Sequence, residues 1–155
     1  MSNEGSRMAK VEKSIEVNVP VATAYNQWTQ FEDFPKFMEN VESVSQLDET
    51  HLRWVAEYGG DRNEWTAEIT EQVPDQRIAW RGEGGVQQSG LVTFEPLGEA
   101  KSKVTVEMDW EPEGMKEKVG AMVGADSRSV GEDLDRFKEM IESRGVETGA
   151  YRGSV

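Results

Sequence analysis

The feature that most constrains the fold is a series of segments in which apolar and polar residues alternate one by one. Residues 10–19 are the first, with Val and Ile on one side of the chain and Lys, Glu and Asn on the other. The later segments of this kind are 51–58, 63–73, 77–81, 90–96 and 103–110. These segments alternate with a period of two residues, are rich in β-branched and aromatic residues and end at Pro, Gly or Asp. Such segments are typical of strands with one buried face. The pattern predicts an antiparallel sheet of six or seven strands.

The last part of the chain has the spacing of a helix instead. Val130, Leu134, Phe137 and Ile141 recur at steps of four, three and four residues, which predicts an apolar stripe on a long helix over about 115–144. A helix with one apolar stripe buries it against another element, and the predicted sheet offers the only large apolar face.

Two short helices are predicted between the first strand and the others. Residues 21–31 place apolar side chains at helical spacing after Pro20, and residues 31–40 predict a second helix with Pro35 near its first turn, where a missing N–H costs little. The order is therefore strand, two short helices, a run of strands and one long helix.

The hairpin around residue 60 has a predicted register. If Gly60 and Asp61 are the central residues of the turn, Ala56 faces Trp65 and Trp54 faces Ala67. This register sets a large side chain opposite a small one twice, which favours interdigitation.

Charge and composition exclude several classes of function. The chain has 155 residues, 30 acidic against 17 basic side chains and a formal net charge of −13, which disfavours nucleic acid as a partner. It has no cysteine and a single histidine, so we expect no metal site. We also expect no cofactor.

The domain organisation is predicted to be simple. We expect a flexible tail over 1–8, one domain over 9–146 and a C-terminal tail over 147–155. No apolar run is long enough for a transmembrane segment, and residues 1–7 lack the apolar core of a signal peptide, so we expect a cytoplasmic protein. Transient contact with a membrane and the oligomeric state are left open.

Six stretches of the chain carry a family resemblance. They are "FEDFPKFMENVESV" (31–44), "LRWVAEYGG" (52–60), "WTAEITEQVPDQRIAWR" (65–81), "GLVTFEPL" (90–97), "DLDRFKEMIE" (133–142) and "ETGAYRG" (147–153). With the order of elements, they resemble the START-like (SRPBCC) superfamily, in its bacterial polyketide cyclase/dehydrase and lipid-transport branch, and are similar to coenzyme Q-binding START-domain proteins. The resemblance implies an α+β helix-grip fold, in which an antiparallel sheet of six to seven strands wraps around a long C-terminal helix. It supplies no catalytic motif that can be transferred residue by residue.

The resemblance also implies a cavity between the sheet and the C-terminal helix. The residues predicted to contact a ligand there come from the inward faces of the strands, from the short helices and from the first half of the long helix. They are Phe34, Phe37, Met38, Trp54, Tyr58, Asn63, Trp65, Trp80, Val92, Phe94, Met108, Trp110, Met115, Val119 and Met122. Each of them could instead fill an ordinary core. The aromatic and methionine side chains favour a hydrophobic ligand.

Few titratable residues share the inward parity. Glu71 alternates in phase with Ile69 and is predicted to pair with Trp80, so Glu71 and Tyr58 are the two weak catalytic candidates. Their separation along the sheet favours binding over catalysis. We therefore predict binding of a hydrophobic small molecule (a lipid, a quinone or a polyketide-like compound), with a cyclase, aromatase or dehydratase enzyme and an interaction module with a filled core as open alternatives.

Overall fold

The computed structural model describes residues 9–58, 61–83, 88–110 and 116–154. Its elements, in chain order, are β1 (Ala9–Val17), α1 (Val21–Trp28), a 3-10 helix (Phe31–Lys36), β2 (Val41–Gln46), β3 (His51–Tyr58), β4 (Asp61–Val73), β5 (Arg77–Gly82), β6 (Gln88–Gly98), β7 (Lys101–Trp110) and α2 (Lys116–Arg144).

The seven strands form one antiparallel sheet in the order β1-β7-β6-β5-β4-β3-β2. Each strand from β2 to β7 pairs with the next along the chain, as short connections favour, and β1 is added at the edge of β7. The sheet curls around α2, whose predicted stripe supplies Leu134, Phe137 and Ile141 to the buried core. The predicted α+β helix-grip fold is therefore confirmed.

The segment after α1 differs from its prediction. It forms a 3-10 helix that ends at Lys36, and Pro35 is its fifth residue rather than a residue of its first turn. Residues 41–46 form β2, a strand that the alternation pattern did not predict. Val41 and Val44 of β2 are buried, but a register shift between Val41 and Ser43 breaks the strict alternation that would have revealed the strand.

The predicted register of the β3–β4 hairpin is wrong by two residues. Tyr58 pairs with Asp61, so Trp54 lies opposite Trp65 and Ala56 lies opposite Asn63. Only residues 59 and 60 separate the paired positions, and connections of two residues are the commonest in hairpins. The two indole rings stack with their centroids 6.0 Å apart. This contact replaces the large-to-small pairing that the sequence favoured.

The inward position predicted for Glu71 is also wrong. A bulge between Ile69 and Glu71 adds one residue to β4, so Trp80 pairs with Ile69 and the alternation changes phase. Glu71 is 40% exposed and lies 2.8 Å from Arg77, and the hydrogen bond from Arg77 lowers the pKa of the Glu71 carboxyl. Gln72 takes the inward position and is fully buried.

The C-terminal residues 147–154 lie against α1. The Asn26 side chain donates to the Glu147 carboxylate at 2.8 Å, and Thr148 exchanges two hydrogen bonds with the Gln27 amide at 2.9 and 3.1 Å. Arg152 donates to Asn26 at 2.7 Å and to Asp75 at 2.7 Å. These bonds satisfy polar side chains of α1 that the fold buries.

Candidate functional site: a tryptophan pocket beneath the C-terminal helix

A pocket lies between the inner face of the sheet and the described second half of α2. It measures about 70 Å³, counted as the space open to the centre of a water-sized sphere. The described residues that line it are Trp28, Phe37, Met38, Asn40, Val41, Trp54, Trp65, Trp80, Val106, Met108, Val130, Asp133 and Leu134. The lining is mainly apolar and aromatic with few polar groups, which is the usual composition of a site for a small hydrophobic ligand.

Three of the tryptophans form a stack across neighbouring strands. The ring of Trp54 lies parallel to that of Trp65, and its centroid is 6.4 Å from that of Trp80. Gly90 makes room for the third ring, because a methyl group at this residue would come within 2.3 Å of the Trp80 indole. Strand alternation brings the rings to one face, and Gly90 lets Trp80 lie against the sheet.

The indole N–H groups of this pocket are short of acceptors. Nε1 of Trp28, Trp54 and Trp65 is buried, and none has a hydrogen-bond partner among the described residues. More than nine in ten buried polar groups in proteins have a partner. The three Nε1 atoms are enclosed by protein atoms, so a molecule in the pocket reaches them only if the rings move.

Asp133 is the one titratable residue among the described residues of the lining. Its carboxylate accepts a hydrogen bond from the backbone N–H of Glu39 at 3.2 Å and another from the Arg136 guanidinium, both at Oδ1. Its side chain is only 19% exposed. Burial raises the pKa of the Asp133 carboxyl, and the two donors reduce this effect without cancelling it.

Arg136 joins the two walls of the pocket next to Asp133. It donates from Nε to the carbonyl oxygen of Phe37 at 3.0 Å, and its guanidinium lies 3.7 Å from the exposed Glu39 carboxylate. The residues between the 3-10 helix and β2 are therefore tied to α2 on this side. The pocket wall they form is held by polar bonds at its rim and by aromatic contacts inside.

The structure separates the predicted ligand-binding residues into groups. Those that line the pocket are Phe37, Met38, Trp54, Trp65, Trp80 and Met108. Phe34 and Val92 are buried in the core without lining the pocket, and Phe94 packs edge-on against Tyr25 at the other end of the sheet. Asn63 is half-buried on β4.

The remaining predicted residues lie outside the described part of the structure. Met115 lies there entirely, and so do the side chains of Tyr58, Trp110, Val119 and Met122, whose backbones belong to β3, β7 and α2. The two catalytic candidates differ in what the structure describes. Glu71 is paired with Arg77 and does not line the pocket, whereas the side chain of Tyr58 is not described. Their catalytic role remains a prediction that nothing supports.

Sequence reasoning missed several residues of the lining. They are Trp28, Asn40, Val41, Val106, Val130, Asp133 and Leu134. A signal for Asp133 was present, because it follows Val130 by three residues and precedes Phe137 by four. This spacing places a carboxylate on the apolar stripe of the helix. Asn40 carried no such signal, since it lies between two elements.

Across the described ranges, no group of three or more His, Cys, Asp and Glu side chains is arranged to hold a metal ion. None of the described helices is both long and apolar enough to cross a membrane.

Comparisons with known proteins agree with this architecture. A family model described as "Polyketide cyclase / dehydrase and lipid transport" matches residues 17–139. An uncharacterized 17.2 kDa protein of Streptomyces lincolnensis, from the melC2-rnhH intergenic region, is 52% identical over 149 residues, which cover 96% of this chain and 99% of that protein.

Solved structures extend the comparison to the fold. The crystal structure of DR_A0006 from Deinococcus radiodurans has a TM-score of 0.70 and 28% identity, and the match covers 89% of this chain and 100% of that one. The Zhui aromatase/cyclase from Streptomyces sp. R1128 has a TM-score of 0.73 over 93% of this chain and 99% of that one, and its 17% identity makes this a likeness of fold alone. Because a family model matches most of its length, this chain belongs to the polyketide cyclase/dehydrase and lipid transport family, and its fold is START-like.

Proposed function

We propose that the protein binds a hydrophobic, ring-containing small molecule in the tryptophan pocket. The observation that carries the proposal is the clustering of Trp54, Trp65 and Trp80 around an unfilled space beneath α2. Flat aromatic faces contribute large contact areas at little conformational cost, and they favour rings over plain acyl chains.

The size of the pocket agrees with a small occupant. One water molecule needs roughly 10–15 Å³ of cavity volume, so about 70 Å³ holds several water molecules, and a ring system fits once the pocket widens. The side chains of Met38 and Met108 line the pocket and can change rotamer to admit a larger molecule.

The experiment is a tryptophan fluorescence titration with a hydrophobic aromatic probe, accompanied by native mass spectrometry of gently purified protein. Val130→Phe fills the pocket from α2, whereas Val146→Phe makes the same change at a side chain that is 58% exposed. We expect saturable binding by the parent and by Val146→Phe, and an affinity at least about tenfold lower for Val130→Phe because the added ring occupies the site. A parent that shows no saturable response would favour an interaction module.

Enzymatic activity is the second candidate, and one observation favours it. The raised pKa of Asp133 makes its carboxyl a better proton donor near neutral pH than an ordinary aspartate. However, no second titratable group among the described residues lines the pocket. Proton transfer with two matched groups is therefore less supported than binding. Turnover of a polyketide substrate that is lost in Asp133→Asn, with binding retained, would establish the enzyme.

A further inference from the structure

This inference rests on the proposed function. We propose that Asp133 determines which ligands the pocket accepts: neutral hydroxylated aromatic compounds bind, and carboxylates of the same shape are rejected. A hydroxyl group suits the carboxylate of the lining, because it donates a hydrogen bond to that carboxylate. An acid of the same shape meets a carboxylate in the lining.

The placement of Asp133 supports a role toward the ligand. It lies on the inner face of α2 between Val130 and Leu134, and all three side chains line the pocket. Both hydrogen bonds that it accepts from described residues are to Oδ1. The second oxygen, Oδ2, is used by neither bond, and the two donors hold the carboxyl group in one orientation.

The surrounding charges favour rejection of anions. No Lys, Arg or His is present among the described residues of the lining. The nearest cation that the structure shows, Arg136, lies between two carboxylates, those of Asp133 and Glu39. These three described side chains carry one net negative charge when both acids are ionised, and the chain as a whole carries −13.

Partial burial of Asp133 strengthens both the binding of hydroxyl compounds and the rejection of carboxylates. The Asp133 side chain is only 19% exposed, so its ionised carboxyl is poorly solvated and a hydrogen bond from a ligand hydroxyl replaces hydration that the fold has removed. An anionic ligand brings a second poorly solvated charge of the same sign. Electrostatic repulsion is stronger where water is excluded.

The test uses three probes of nearly the same size: 2-naphthol, 2-methoxynaphthalene and 2-naphthoate. Isothermal titration calorimetry at pH 7 measures their affinities for the full chain. We expect 2-naphthol to bind tightest and 2-naphthoate to bind at least about tenfold more weakly, since a hydrogen bond to a charged group is worth this factor or more. The methoxy compound lacks the donor and is expected between them.

Two variants separate the site from the overall charge. Asp133→Asn keeps an acceptor for the Glu39 N–H but removes the charge, so we expect 2-naphthoate to gain affinity and 2-naphthol to lose its preference. Asp135→Asn removes an equal charge from an exposed position of the same helix and is expected to leave the ranking unchanged.

The outcomes separate a failure of the proposed function from a failure of the role assigned to Asp133. If none of the probes binds saturably, the proposed function fails. If all three bind the parent with equal affinity, or if Asp135→Asn changes the ranking as much as Asp133→Asn, the pocket stands and the role of Asp133 is overturned. Should Asp133→Asn not fold, the parent ranking decides, because 2-naphthoate bound as tightly as 2-naphthol refutes the proposal.

Discussion

The two ends of the inner sheet face differ in how they are closed. At one end Phe94 packs edge-on against Tyr25, and residues 147–154 lie over α1, with Thr148 and Arg152 hydrogen-bonded to its side chains. At the other end, four residues back along β6, Gly90 lies beneath the ring of Trp80, and the space beyond it forms the pocket. We call these the packed end and the pocket end.

The same sheet and the same helix thus produce a filled core and an open one. At the packed end the Asn26 and Gln27 side chains find partners in the C-terminal segment. At the pocket end the Trp54 and Trp65 indole N–H groups find none among the described residues. Buried polar atoms without a partner among the described residues are present at the packed end too, namely the Tyr25 hydroxyl, the Gln72 amide and Oδ1 of Asp75. The two ends therefore differ in the space between the sheet and α2 rather than in the number of unpaired groups.

The largest expected difference between the ends is in the cost of removing a side chain. Phe94→Ala creates a new cavity in the filled core and is expected to lower the free energy of unfolding by about 3–5 kcal/mol. Met108→Ala enlarges a space that already exists, around a side chain that is only half-buried, and is expected to cost less than about 2 kcal/mol. Urea denaturation measures both values. Equal costs would show that the pocket end is packed as tightly as the other.

The second prediction concerns the closure of the packed end. Arg152→Ala leaves Asn26 and Asp75 without their donor and removes the cation that lies 5.7 Å from the Tyr25 ring centroid. We expect a loss of about 2 kcal/mol, at the lower end of what charged hydrogen bonds contribute because Arg152 is partly exposed. Arg144→Ala is the matched control, since that exposed side chain donates only to the Val146 carbonyl in the described structure. If the two variants unfold at the same urea concentration, the C-terminal segment contributes nothing to closure.

The third prediction concerns a substitution on the sheet that fills part of the pocket. Gly90→Ala pushes the Trp80 ring off the strand and into the pocket, which is free to receive it, so the expected cost is only about 1–2 kcal/mol. Probe binding is expected to weaken in the same variant. Gly131→Ala is the control, because a methyl group there meets no atom within 4 Å and alanine stabilises a helix by up to about 1 kcal/mol. Unchanged probe affinity in Gly90→Ala would place the binding site elsewhere.

The smallest expected effect is a difference in pH dependence between two aspartates. At Asp33, burial acts to raise the pKa, but hydrogen bonds from Thr148, Lys36 and Gln27 outweigh it and the pKa is lowered. The unfolded chain then binds more protons, so the stabilisation by Asp33 is present above the unfolded pKa of about 3.9 and is lost as the pH falls through the folded value. At Asp133 the pKa is raised, so its contribution falls as the pH rises from about 3.9 through the folded value.

Urea denaturation across the acidic range tests these opposite signs. Asp33→Asn is expected to reduce the fall in the free energy of unfolding as the pH is lowered. Asp133→Asn is expected to reduce the fall in the same quantity as the pH is raised toward neutrality. Asp135→Asn, at an exposed position, serves as the control for charge alone. Shifts of the same sign in both variants would contradict the assignment of burial to one site and hydrogen bonding to the other.

Much of the fold could be predicted because it depends on local periodicity. The alternating segments became β1 and β3 to β7, and the stripe of Leu134, Phe137 and Ile141 is buried as expected. The pocket was predictable in part for the same reason. Trp54, Trp65 and Trp80 share one parity on consecutive strands, and antiparallel pairing brings such residues to one face.

Local periodicity therefore specifies which faces are apolar and which elements carry them. How those faces meet depends on tertiary contacts. The bulge after Ile69 exchanged Glu71 for Gln72, and a hairpin register shifted by two residues stacked Trp54 on Trp65. The approach of α2 to the residues before β2 placed Asp133 at the pocket. Register, bulges and helix docking depend on contacts between residues far apart in the chain, and the spacing of neighbouring residues carries no record of these contacts.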